Sequence, residues 1–157
     1  TGMNALATSA ALPNNVITAS SLATSAIKLG YAASTSSFNT SSTSEVLITG
    51  LTSTVTIPSG GRSVKVTSYI RSLYNTTAGQ QVVVSIWDGT VGSGTKIAEG
   101  ISTTSGTAYV VTPATIMAVV TPTAGSKTYN VGIKVTGGVG NADGVATGPC
   151  FILVELI

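Results

Sequence analysis

Histidine is absent from the 157 residues, cysteine occurs once, and only five carboxylates are present. Without histidine there is no Ser-His-Asp arrangement, no His-ligated zinc and no ordinary general base near neutral pH. The carboxylates are Glu45, Asp88, Glu99, Asp143 and Glu155, and a glycosidase would need two of them to converge from distant strands and loops. No enzymatic activity, cofactor or metal site is expected. The single Cys150 lies in the apolar segment 150–154, where a free thiol behaves as a small buried hydrophobe.

Charge is also scarce, at 8% of residues, against roughly 25% in ordinary soluble domains. A hydrophobic fraction of 43%, a mean hydropathy of +0.46 and a formal charge of +2 argue for a packed chain, because disorder goes with low hydrophobicity and high charge. The seven Lys and Arg residues are scattered rather than clustered, which disfavours nucleic acid as a partner. Apolar runs such as 116–120 and 151–154 fall far short of the about 20 residues a spanning helix needs, so no membrane span is expected. The sequence begins at Thr1 rather than Met and shows no signal-peptide pattern, so it is expected to be a processed chain or a piece of a longer one.

What is abundant is Ala, Ser and Thr at the start and period-two alternation afterwards. Residues 20–29 carry a helix signal: Ser and Thr precede it as caps, Lys28 suits its C-terminal end, and Gly30 suits the left-handed stop. Leu22, Ala26 and Leu29, with Ile27 beside them, form a stripe too narrow to hold such a helix without a partner surface. Residues 34–44 read as a Ser/Thr linker. The expected division is therefore an attachment and linker segment over 1–44 and a β-domain over 45–157.

Within the β-domain the cleanest strand is 128–135, where Tyr129, Val131, Ile133 and Val135 alternate with Thr128, Asn130, Gly132 and Lys134. The same pattern places strands over 46–48, 54–57, 63–73, 81–87, 96–101, 108–111, 115–120 and 151–157, with Gly, Pro and Asp-Gly turns between them. So many strands with so little helix imply an all-β sandwich or barrel. The last strand is apolar on both faces, with Glu155 the exception. Such a strand is central or covered by another subunit, which together with the low charge implies a homo-oligomer.

Asp88 in Asp88-Gly89 is expected to build a turn. The stretch 138–144 is glycine-rich but lacks the Lys-Ser/Thr ending of a phosphate loop, and it reads as a flexible loop. Asn141 and Asp143 within it offer hydrogen bonds to a sugar, though too few oxygens for Ca²⁺. The only tryptophan, Trp87, is a core or interface residue by type and a stacking platform for carbohydrate by alternative. Trp87, Asp88, Asn141 and Asp143 are the candidate ligand-facing residues. Leu22, Ile27, Phe151, Leu153 and Ile157 are the candidate subunit interface. Asn39-Thr40-Ser41 and Asn75-Thr76-Thr77 match the N-glycosylation pattern.

Two stretches carry a family resemblance. The segment from Asn15 to Tyr31 resembles the short strand-then-helix units that precede globular tips in phage tail and head fibres. The β-domain, through 128–135 and 150–157, resembles the trimeric jelly rolls related to complement and tumour-necrosis-factor heads. The resemblance implies a jelly-roll sandwich, a homotrimer with the final strand near the threefold axis, and outer loops that contact a cell-surface glycan or protein. It also implies a virion-surface or extracellular location and attachment to other virion proteins through the N-terminal segment. The alternatives are a capsid, sheath or filament building block without a receptor role, and a cellular adhesin or appendage subunit.

Overall fold

The structure, a computed structural model, describes residues 28–59, 61–103 and 106–157. Those residues form two antiparallel sheets facing each other. The first, sheet A, joins β1 (Lys28–Ser34), β10 (Cys150–Leu156), β4 (Val64–Asn75), β9 (Gly140–Asp143) and β2 (Ser37–Thr40) in that order, with β7 (Thr112–Val120) on the free side of β4. The second, sheet B, runs β3 (Val46–Ile57), β8 (Gly125–Val135), β5 (Gln81–Asp88) and β6 (Thr95–Thr103). Because β1 and β2 run beside β10 and β9, sheet A is in effect four strands wide. From β3 onward the chain crosses repeatedly between the sheets, giving the expected jelly-roll sandwich.

Alternation explains the packing. Leu51, Val55 and Ile57 of β3, Val82, Val84 and Ile86 of β5, and Tyr129, Val131, Ile133 and Val135 of β8 point inward from sheet B. They meet Val64, Val66, Ile70 and Leu73 of β4 and Ile152 and Val154 of β10 from sheet A. The threonines between them face outward on sheet B, where the Thr54 and Thr128 hydroxyls lie 2.9 Å apart across the β3–β8 pair. Cys150 is buried in this core, and burial pushes its thiol up from the ordinary value.

Several expectations are corrected. Residues 46–48 and 54–57 belong to one strand, bent at a register shift between Leu47 and Thr52. Gly50 sits in that shift with φ 88°, a conformation that costs an L-residue about 1–2 kcal/mol. Gly50→Ala is accordingly expected to lower stability by about that amount, measured by urea unfolding; an unchanged midpoint would show that the bend relaxes without strain.

Residues 108–111 are not a strand. Tyr109 takes φ 62° and its amide donates to the Asn75 carbonyl (2.9 Å), so β7 begins only at Thr112. The linker expected over 34–44 contributes β2 as well as the end of β1. The glycine-rich stretch 138–144 is not a flexible loop but holds β9, paired on both edges with β2 and β4. The helix expected over 20–29 lies outside the described residues except for Lys28 and Leu29, which open β1. No helix among the described residues is long and apolar enough to cross a membrane.

Candidate functional site

The outward faces of the two sheets differ. On sheet B the outward residues Ser85, Trp87 and Asn130 are nevertheless buried, because the β5–β6 turn folds back over them. Gly89 donates to Thr128 O and accepts from Asn130 Nδ2, both at 2.8 Å, and Val91 reaches over Gly132. Beneath that turn Trp87 Nε1 donates to Ser85 Oγ (2.8 Å), which donates to Glu45 Oε2 (2.8 Å). Glu45, its side chain only 8% exposed, also pairs with Lys96 (2.9 Å) and Lys134 (3.7 Å).

Glu99 joins the same lysine. Hydrogen bonds to Glu99 and Glu45 hold Lys96 above its ordinary value, and Lys96 holds Glu99 below the usual carboxylate range. Two carboxylates thus converge, but the lysine between them keeps Glu99 ionised, the opposite of the raised carboxyl that a glycosidase acid requires. Among the described residues no group of three or more His, Cys, Asp or Glu gathers as a metal site.

Sheet A leaves its outer face open, and cross-strand register divides it into two halves. Ala33, Phe151, Tyr69 and Thr115 form one row; Tyr31, Leu153, Thr67 and Met117 form the next. Phe151 is central, with the rings of Tyr31 and Tyr69 at 5.8 and 5.5 Å. Met117 and Val119 are 63% and 59% exposed, and the Lys65–Glu155 pair (2.7 Å) bounds the row below.

The other half is polar. Asn39, Asn141 and Tyr74 are in register across β2, β9 and β4, followed by Ser37, Asp143 and Ser72. Burial, and then the neighbouring Asp143 carboxylate, raise the Tyr74 hydroxyl from its ordinary value. Tyr109 stands over Tyr74, ring centroids 6.0 Å apart.

The ligand-facing candidates therefore separate. Trp87 does not face a ligand loop: it is 7% exposed under the β5–β6 turn, with Lys96 Nζ 5.3 Å from its ring centroid. Asp88 ends β5 and lies 3.6 Å from Lys127, where Gly89 makes the expected turn with φ 90°. Asn141 and Asp143 sit together on the polar half, joined by Tyr74, Tyr109 and Asn39, which sequence reasoning missed. Of the interface candidates, Phe151 and Leu153 share the apolar half, Ile157 is exposed just beyond β10, and Leu22 and Ile27 lie outside the described residues.

Of the two glycosylation patterns, Asn39 is exposed. Asn75 is fully buried, and its Nδ2 donates to Gly137 O (2.9 Å). A cleft of about 460 Å³ between β6 and β7, lined by Leu73, Ser102, Thr112 and Ile116 among others, offers neither charge nor aromatic surface.

No protein-family model matches the chain, and no curated protein matches it in sequence. Solved structures similar to it include Eiger TNF from S. frugiperda, at 10% identity and TM-score 0.48 over 83% of this chain and 92% of that one. Another is a carbohydrate-binding module (CBM6cm-2) of Cellvibrio mixtus lichenase 5A in complex with cellotriose, at 16% identity and TM-score 0.33 over 78% and 88%. A third is infectious bursal disease virus, Gt strain, at 13% identity and TM-score 0.32 over 83% of this chain and 42% of that one. At such identities the likeness concerns chain fold, and the architecture stands on its own strand order.

Proposed function

We propose that the chain is a non-enzymatic surface module that assembles with copies of itself through the apolar half of sheet A. Its specific form is a homotrimeric fibre-type head on a virion, held to other virion proteins by the residues before Lys28 and presenting its outer surface for host attachment. The observation that carries the reading is the uncovered patch of Tyr31, Phe151, Leu153, Tyr69, Met117 and Val119. Phe151 and Leu153 at its centre are apolar, while Lys28 Nζ lies over the Tyr31 ring (4.7 Å) and the Lys65–Glu155 pair closes another edge, an apolar core with a charged rim as at an interface. A trimer would multiply weak surface contacts by avidity.

Leu153→Asp tests this, because the side chain is on the outer face and the core partners Ile152 and Val154 stay in place. Light scattering is expected to find a discrete trimer for the parent chain. The variant is expected to dissociate to a folded monomer, with at least hundredfold weaker association, about 2.7 kcal/mol. A parent chain that is monomeric, or that grows into open-ended assemblies, overturns the closed trimer; the second result favours a sheath or filament subunit.

A further inference from the structure

The polar half of sheet A is not explained by self-association. Three strands that are remote in sequence bring Asn39, Asn141, Asp143 and Tyr74 into two adjacent rows. Above them stands Tyr109, 63% exposed. It is the one non-glycine residue with positive φ among those described, fixed there by its amide bond to Asn75 O. An aromatic residue held at 62° on an open surface fits a role outside the core, since strained conformations concentrate at ligand contacts.

The polar groups are partly committed. Asn141 Nδ2 donates to Val139 O (3.3 Å), and the Tyr74 hydroxyl lies close enough to the Asp143 carboxylate to be raised by it. Asp143 Oδ1 is buried, with no hydrogen-bond partner among the described residues. The Asp143 side chain as a whole is half-buried, and a carboxylate only accepts hydrogen bonds, which favours a ligand that brings hydroxyl donors. An amide such as Asn141 both donates and accepts, matching the two-way hydrogen bonding of hydroxyls on a sugar ring. Tyrosine rings supply an apolar plane for the C–H face of such a ring, with a polar tip.

From this juxtaposition we infer that Tyr109, Tyr74, Asn39, Asn141 and Asp143 form a saccharide-binding site for an uncharged sugar. The sugar ring lies against Tyr109 and its hydroxyls reach Asn141 and Asp143. The only charge among these five side chains is negative, which disfavours sialylated and other acidic glycans. The inference deepens the attachment role proposed above and rests on it, but it does not require the trimer.

The test uses the full chain on an array of neutral and sialylated oligosaccharides, with Tyr109→Ala, Tyr109→Phe and Asn141→Ala variants checked for native circular dichroism. Neutral glycans are expected to bind. Tyr109→Ala and Asn141→Ala are each expected to weaken binding at least tenfold, while Tyr109→Phe, which keeps the ring, retains it. Binding that none of the variants changes, or that is confined to sialylated glycans, overturns the site. A trimer by light scattering that leaves the array blank overturns the site while self-association stands. Neutral-glycan binding by a monomer, lost in both alanine variants, supports the site and overturns the trimer.

Discussion

Glu45→Ala is expected to destabilise the domain by about 2–4 kcal/mol, below the upper range for a fully buried pair because the lysines are partly exposed. Glu45 is the one carboxylate that Lys96, Lys134 and Ser85 all share. Without it Lys134 keeps only a longer-range attraction to Glu99, and the Ser85 hydroxyl is left buried beneath the β5–β6 turn with only Trp87 as partner. Lys96 keeps Glu99. Glu45→Gln, which retains an acceptor for Ser85 but not the charge, is expected to lose about half as much. Urea unfolding at one fixed protein concentration measures both. Trp87 is the only tryptophan, so its emission should shift to the red in the alanine variant as the turn loosens. A loss below about 0.5 kcal/mol, the usual range of a neutral surface change, would mean that the cluster is solvated and that Trp87 is held by the turn alone.

Alkaline pH is expected to unfold the domain through Tyr129. Its ring is fully buried, its hydroxyl has no hydrogen-bond partner among the described residues, and burial pushes that hydroxyl up to about 12. In the unfolded chain it ionises near pH 10. The folded form therefore holds the proton more tightly, and the stability linked to it is complete below pH 10 and lost as pH rises through 12. The loss is about 2–3 kcal/mol at 1.36 kcal/mol per pH unit. Tyr129→Phe keeps the packing and removes both the stranded hydroxyl and the titration. It should raise stability at neutral pH by about 1 kcal/mol and flatten the alkaline limb, leaving the contributions of Lys96, Tyr74 and Cys150, which are also raised in the folded state. Phenolate absorbance followed against pH identifies the last tyrosine to ionise. If Tyr129→Phe unfolds at the same pH as the parent, the alkaline transition belongs to the other groups raised in the folded state, Lys96, Tyr74 and Cys150.

Strands whose inward positions carry Val, Ile or Leu were legible, as in β4, β5 and β8, because alternation there is both chemical and geometric. β9 was not: in Gly140-Asn141-Ala142-Asp143 the core-facing residues are Gly140 and Ala142, and one methyl group leaves no periodic signal. β2 is similar, with Phe38 its single inward anchor. Asn141 and Asp143 could be singled out for their chemistry, but Tyr74 and Tyr109 could not be joined to them. They come from distant parts of the chain, and the contact depends on a β4–β9 pairing and on a left-handed tyrosine that no local pattern announces. Trp87, read first as a core or interface residue, is buried; its stacking alternative is closed off by the β5–β6 turn, a tertiary event.

Cys150 is the chain's only cysteine, 1% exposed among core residues and with its thiol raised by burial. Thiolate is the reactive form, so the native protein is chemically silent toward maleimides and methanethiosulfonates under folding conditions. A cysteine introduced at any exposed position then becomes the sole attachment point for a dye or spin label, with no need to remove the native one. A label at Ser37 on the polar half in one variant, and at Thr115 on the apolar half in another, would report saccharide binding and self-association separately.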